Sequence, residues 1–273
     1  MHKRVFHISI PKPGEGQINE DDARSDNSVV AVSDGAGGGG VYADLWSRYL
    51  LHNLPDSPIL SFEELDKWID GIWEPFYNSC EEKAKAEGGL LLQKFYDEGS
   101  FATLAAVWHK DNKCHWMAYG DSVVFHYNRS TDKLEHSFTR LADFDRPPYL
   151  INCKDEIDRD GFSCGTFDTD EYSIVFCASD ALSHYILMMY ELSHADIYDE
   201  ELNEALAAGT KNSLFISAAS YTKIRFDKKV IGKLLRHSRH RRKFTAFVRS
   251  LMSRKLLALD DFSYAGVIWK EID

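Results

Sequence analysis

Cysteine is scarce in this sequence of 273 residues: five, odd in number, with no C-x-x-C pair. Cys80, Cys114, Cys153, Cys164 and Cys177 are too dispersed for a disulfide framework or a zinc–thiolate site, so reduced, mostly buried thiols are expected. Long apolar runs are missing as well, and nothing reaches the ~18 residues of a membrane span. Pro11 and Pro13 cut the run after Lys3-Arg4 too soon for the core of a secretory leader. The start therefore reads as the first strand of a cytoplasmic protein. No Gly/Ser/Pro-rich linker divides the chain and no repeat of roughly 20–50 residues recurs, so residues 1–273 read as one domain. Positive charge is in deficit, 32 Lys and Arg against 43 Asp and Glu, for a net −11. That balance disfavours nucleic acid and anionic membrane as partners, and it disfavours acidic substrates as a general tendency.

What is present is ordinary globular material, 44% apolar and 27% charged. Val29 to Val32 is a β-branched run ended by Ser33-Asp34-Gly35, a strand entering a tight loop. Helical spacing follows from Tyr42 to Leu54. A second helix opens at Ser61 with Glu64 three residues on, a capping box, and Pro75 is expected to kink it. Strands are expected over Phe101–Trp108, Cys114–Tyr119, Val123–Tyr127, Tyr172–Cys177 and Tyr264–Trp269. An apolar helix is expected over Leu182–Met189, and residues 199–257 look helical throughout. Helices, then hairpin-linked strands, then more helices suggest an α+β fold of antiparallel sheets with helices outside them.

Residues 223–255 hold 13 of the 32 basic residues and one of the 43 acidic ones, Asp227. Two readings of this basic helical segment (to 257) stand open. One is a surface for an anionic partner; the other is a solvated face opposite an apolar stripe that includes Leu234, Phe244, Phe247 and Leu251. His237 and His240 have ligand-like spacing but sit among arginines that would repel a metal, and read as helix surface.

The informative pattern is where carboxylates fall. Asp34 ends one apolar strand, Asp180 ends another, Asp260 precedes the last, Asp121 lies between two strands, and Glu20-Asp21 precedes the first of these. One Asp at a strand end is usually a turn or helix cap. Several on one rim would repel one another unless a hard divalent cation sat between them, and Mg²⁺ and Mn²⁺ take oxygen ligands. A pair of such ions can bridge a water, generate hydroxide at neutral pH and neutralise phosphate oxygens.

In order along the chain stand Asn19-Glu20-Asp21, Ser33-Asp34-Gly35-Ala36-Gly37-Gly38, Gly99-Ser100-Phe101-Ala102-Thr103, Gly120-Asp121-Ser122, Ala178-Ser179-Asp180-Ala181 and Asp260-Asp261-Phe262-Ser263. These six blocks resemble the signature of the metal-dependent protein phosphatase 2C family, most of all its divergent bacterial branch, in which a Trp (here Trp46) follows the first aspartate loop. The resemblance runs from about residue 16 to 269. It implies a four-layer α-β-β-α sandwich, two antiparallel sheets flanked by helices, with a binuclear Mg²⁺ or Mn²⁺ centre at one end. By position, Asp34 would bridge both ions, the Gly35 carbonyl would bind one, and Asp180 and Asp260 the other. Glu20 matches the remaining first-loop ligand, Asp21 would hold a metal-bound water, and Asp121 matches a weaker third site. The activity implied is hydrolysis of phosphoserine and phosphothreonine in proteins by a metal-bridging hydroxide, with a phosphoprotein substrate and a cognate kinase as partners.

Three features depart from the pattern. The arginine the family often places four residues before Glu20 is Gly16, with Lys12 and Arg24 as substitutes; the histidine often found as general acid is Ala36; and the partner of the third-metal site is His184. These losses motivate a second reading, a catalytically impaired phosphatase-like binding module. A third is dinucleotide binding, because Gly35 to Gly40 formally satisfies G-x-G-x-x-G after a strand.

Overall fold

A computed structural model describes residues 3–38, 40–221 and 224–269; Met1, His2, Gly39 of the glycine run and Lys223 of the basic segment lie outside the described residues. The first half runs β1 (Arg4–Ile10), β2 (Asp22–Ser25), β3 (Val29–Ser33), α1 (Ala43–His52), α2 (Phe62–Glu87), α3 (Gly89–Glu98), β4 (Phe101–Ala102), β5 (Leu104–Lys110), β6 (Lys113–Tyr119) and β7 (Val123–Asn128). The second runs β8 (Lys133–His136), β9 (Ile151–Asn152), β10 (Phe162–Asp168), β11 (Ser173–Ala178), α4 (Asp180–Ser193), α5 (Asp199–Ala207), α6 (Lys211–Ser220), α7 (Gly232–His237), α8 (Arg241–Ser253) and β12 (Phe262–Ile268).

Two five-stranded sheets form, ordered β1-β12-β11-β7-β8 and β10-β6-β5-β3-β2, and every pairing in them is antiparallel. Strand periodicity explains the layers. Residues of period two alternate faces, so β3 sends Val30 and Val32 to one side and Val29 and Ala31 to the other. In β11, Val175 and Cys177 meet Val30, Val32, Ala105 and Val107 between the sheets. Ile174 and Phe176 instead face α4, α7 and α8, with Leu182, Leu234 and Phe244. Val29 and Ala31 face α1 and α2 through Trp46, Leu50 and Phe76. Three apolar seams thus join four layers, helix–sheet–sheet–helix. The antiparallel pairing of β3 on both sides removes the dinucleotide reading: that fingerprint works in a parallel β-α-β crossover, and β3 has none.

Several elements differ from expectation. The strand expected over 101–108 is split at Thr103, where β4 pairs with β9 and β5 with β3 and β6. Pro75 lies inside the 26-residue α2 without ending it. Among the described residues, the stretch 199–257 holds four α-helices. One break falls at Gly209, whose φ of 65° leaves the helical region; another falls at Ser238–His240. Asp227–Ile231 forms a π-helical turn ahead of α7. The cysteines are all free, with Cys80, Cys114, Cys153 and Cys177 buried. No helix of the described residues is long and apolar enough to cross a membrane.

Candidate metal centre

Antiparallel pairing brings the acidic residues to one end of the sandwich. Asp22 pairs with Ser33 in β2–β3, so Asp21 and Asp34 emerge side by side. Ala178 of β11 pairs with both Tyr264 of β12 and Val123 of β7. The residues just past those ends, Asp180, Asp260 and Asp121, therefore share the same rim. Ser179 fixes this corner: its N–H donates to the Ser263 carbonyl at 3.1 Å, and its hydroxyl accepts the Ser263 N–H at 3.0 Å.

The side chains register one another through charge. Burial, then repulsion from Asp21, Asp180, Asp121 and Asp260, holds the Asp34 carboxyl well above the usual carboxylate range. Asp180 is raised by burial and by Asp121, Asp260 and Asp21. Asp21 is raised by burial, with Asp261 and Asp260 adding to it, and Asp121 by burial and Asp260. Asp260 is raised by burial and Asp261, against the pull of Lys12 and Lys211. Asp21, Asp34, Asp121, Asp180 and Asp260 are thus one electrostatic cluster. Glu20 stands at its margin. Its carboxyl is raised by burial and is close to Lys12, whose Nζ lies 3.8 Å from Oε2, and to Asp261, Asp44 and Asp260.

The backbone around Asp34 is held from two sides. Thr103 donates its N–H to the Asp34 carbonyl at 2.8 Å, and the Thr103 hydroxyl lies 3.4 Å from the Asp34 nitrogen and 2.7 Å from Ser122 Oγ, next to Asp121. Gly35 is needed for close approach: a Cβ there would lie 2.5 Å from the Glu20 carbonyl and 2.7 Å from that of Ala43. Gly37 packs against the Glu20 carboxyl in the same way. Asp180 opens α4, where its carboxyl accepts the Ala181 N–H and faces the positive end of the helix dipole.

Other residues lie elsewhere. Arg24 is committed to Asp26 at 2.7 Å and to the Leu51 carbonyl at 2.8 Å. Gly16 is exposed, with φ 69°. His184 is sealed between the rings of Phe144 and Phe215, and burial pushes its imidazole down to about 4. Trp46 is fully buried and donates its indole N–H to the Ile151 carbonyl. Thr103, Ser122, Lys211 and Asp261 were not singled out from sequence; the doublet Asp260-Asp261 was the available signal for the last.

Do these residues suit hard cations? Among the described residues, no group of three or more His, Cys, Asp or Glu side chains is placed so that it could hold a metal ion as it stands. The donor set is nevertheless all oxygen, as Mg²⁺ and Mn²⁺ require. Asp34 and Ser179 stand within reach of Asp21, yet both Asp21 oxygens are buried without a completed hydrogen bond. A buried carboxyl left so is costly unless a cation or proton takes it up. In donor chemistry, though not in present spacing, the residues fit the ions.

No family model matches the sequence, and no curated protein does. Solved structures do. The chain is similar to PppA of Pseudomonas aeruginosa, a regulatory component of a type VI secretion system, at 15% identity over 98% of both chains with a TM-score of 0.51. It is similar to the catalytic domain of the serine/threonine phosphatase PstP in complex with two manganese ions, at 15% identity over 97% of both and TM-score 0.51. The serine/threonine phosphatase Stp1 of Staphylococcus aureus matches at 11% identity, covering 97% of this chain and 95% of that one, TM-score 0.53. The fold is that of the phosphatase 2C family. A phosphatase 2C-like sandwich thus spans nearly the whole chain, and the carboxylate rim lies at one end of it.

Proposed function

We propose that the chain is a Mg²⁺- or Mn²⁺-dependent phosphatase acting on phosphoserine and phosphothreonine in proteins. The observation that carries this reading is the convergence of Asp21, Asp34, Asp121, Asp180 and Asp260 on one rim of a fold shared with serine/threonine phosphatases. Asp34, Asp180 and Asp260 would hold the ions with the Gly35 carbonyl. Glu20 would complete the set, Asp21 would act through a bound water, and Asp121 would serve a weaker third ion. Ions of this kind, when bound, activate water and neutralise phosphate charge.

The chain's own residues then do the rest. Thr103 and Ser122 fix the Asp34 loop against Asp121, so the ligands hold their places as charge changes. Lys12 and Lys211 are near enough to pull the Asp260 carboxyl down, and they would supply positive charge in place of the family arginine that Gly16 replaces. His184 is too deeply packed to pass a proton to a leaving group. With Ala36 at the general-acid position as well, esters with poor leaving groups should turn over slowly. A cytoplasmic setting agrees with the unpaired cysteines.

The test is hydrolysis of para-nitrophenyl phosphate and a phosphothreonine peptide with Mn²⁺ and with Mg²⁺, beside Asp34→Ala. Metal-dependent turnover lost in the variant supports the enzyme. No turnover with either ion supports the second reading, the binding module that Gly16 and Ala36 motivate.

A further inference from the structure

The cations of residues 224–255 are not spread evenly over the molecule. The apolar stripe of α7 and α8 is buried against the sheet through Leu234, Phe244, Phe247, Val248 and Leu251. The opposite face is exposed and carries Arg236, Arg239, Arg241, Arg242, Lys243 and Arg249. None of these six forms an ion pair with a described carboxylate.

Local sequence choice is also wrong for stability alone. Arg241, Arg242 and Lys243 occupy the first turn of α8, where the helix dipole is positive, with no acidic residue there and no side-chain cap from His240. Rules of helix design would put Asp or Glu at these positions. At Arg242 and Lys243 no side-chain hydrogen bond or ion pair to a described residue compensates, and a local rule broken in this way points to function.

The position of this face matters as much as its charge. Arg241 Nη1 donates to the Ser9 carbonyl at 3.1 Å, and the Ser9 hydroxyl donates to the Asp21 carbonyl at 3.2 Å. Asn19, in the same loop as Glu20, donates to that hydroxyl at 2.6 Å. One residue, Ser9, therefore separates the start of α8 from the carboxylate rim. From there a shallow groove, open to solvent, runs along the exposed face of α8 between the side chains of Arg241, Arg242, Thr245, Ala246 and Arg249.

We infer that this groove docks the acidic flank of a phosphoprotein substrate, so that the enzyme prefers phosphoserine or phosphothreonine beside a run of Asp and Glu. The inference rests on the proposed phosphatase reading and names its substrate class. Charge complementarity selects the occupant: three arginines on one face bind carboxylates in forked pairs. The groove presents no aromatic ring on which a base could stack, as a single-stranded nucleic acid would need. The net charge of −11 does not oppose this docking, because residues outside 223–255 hold 42 of the 43 acidic residues, and the remaining one, Asp227, does not line the groove.

The experiment uses the full chain with Mn²⁺ and three phosphoserine peptides, flanked by three Glu, three Ala or three Lys. The expected kcat/KM is roughly 10-fold or more higher for the Glu peptide than for the Ala peptide at low salt, within the range of charge steering. The preference should shrink as salt rises. In Arg242→Glu/Arg249→Glu, which leaves the Arg241–Ser9 bond intact, the preference disappears while para-nitrophenyl phosphate turnover is unchanged. Equal rates on all three peptides, or a preference that survives the double substitution, overturn the inference. Docking is read separately by fluorescence anisotropy of the Glu peptide in chelator. If para-nitrophenyl phosphate is not hydrolysed, the phosphatase reading fails, and binding abolished by the double substitution still supports the groove. No binding, or tighter binding of a single-stranded RNA of matched charge, overturns it.

Discussion

The carboxylate of Asp261 accepts the backbone N–H of Glu20 at 2.7 Å, across 241 residues of chain. Its other oxygen accepts the N–H of Lys12, also at 2.7 Å. One buried side chain at the entry to β12 therefore shapes the whole 11–20 loop, which carries Glu20 and leads into Asp21.

Asp261→Asn keeps the size of the side chain but turns one acceptor into a donor facing an N–H. The loss should be about 1.5–3 kcal/mol, the worth of a hydrogen bond to a charged group, seen as a lower midpoint in urea. Mn²⁺ affinity should fall roughly 10–100-fold, as for residues that orient metal ligands, measured by calorimetry.

Asp34→Asn and Asp180→Asn should separate stability from activity. Each removes a negative charge from a cluster whose members repel one another. Melting of either variant in chelator should occur at a higher temperature than in the parent, while Mn²⁺-dependent turnover is lost. A sharp fall in melting temperature would mean that these carboxyls are structural.

Gly35→Ala should be severe and Gly38→Ala silent. A Cβ at Gly35 meets two backbone carbonyls that cannot move independently, whereas nothing lies within 4 Å of one at Gly38. Denaturant unfolding should show a loss of about 1–3 kcal/mol at the first position, the usual scale of overpacking, and little change at the second.

Glu191, on α4, gives a pH dependence away from the rim. It is 1% exposed, and burial, then Glu201, pushes its carboxyl up to about 8. The folded protein therefore binds a proton that the unfolded chain releases near pH 4.3. Its contribution to stability is complete below about pH 4.3 and is lost as pH rises toward 8. Glu191→Gln should melt like the parent at pH 5 and several degrees higher at pH 8.

Much of the fold was legible because apolar runs of period two or 3.6 name strands and helices directly, as in β3, β11 and α2. The rim was legible as Asp residues at the ends of those runs. β2, with the sequence Asp-Ala-Arg-Ser, has no such pattern and exists through its pairing with β3. β10 contains Gly165, whose missing side chain makes room for Trp116 from the neighbouring strand, a reason invisible along the chain. The orientation of Glu20 and Asp21 was illegible too. Adjacent residues in extended chain face opposite ways, and which one faces Asp34 depends on the hold of Asp261 from the far end of the sequence.

The central claim is tested most directly by anomalous diffraction at the manganese edge from crystals soaked in Mn²⁺. The account predicts two strong peaks among Asp34, Asp180 and Asp260, one beside the Gly35 carbonyl, and none of them in Asp34→Asn/Asp180→Asn crystals. Peaks confined to other acidic surfaces, or a rim that stays empty at saturating Mn²⁺, would contradict it.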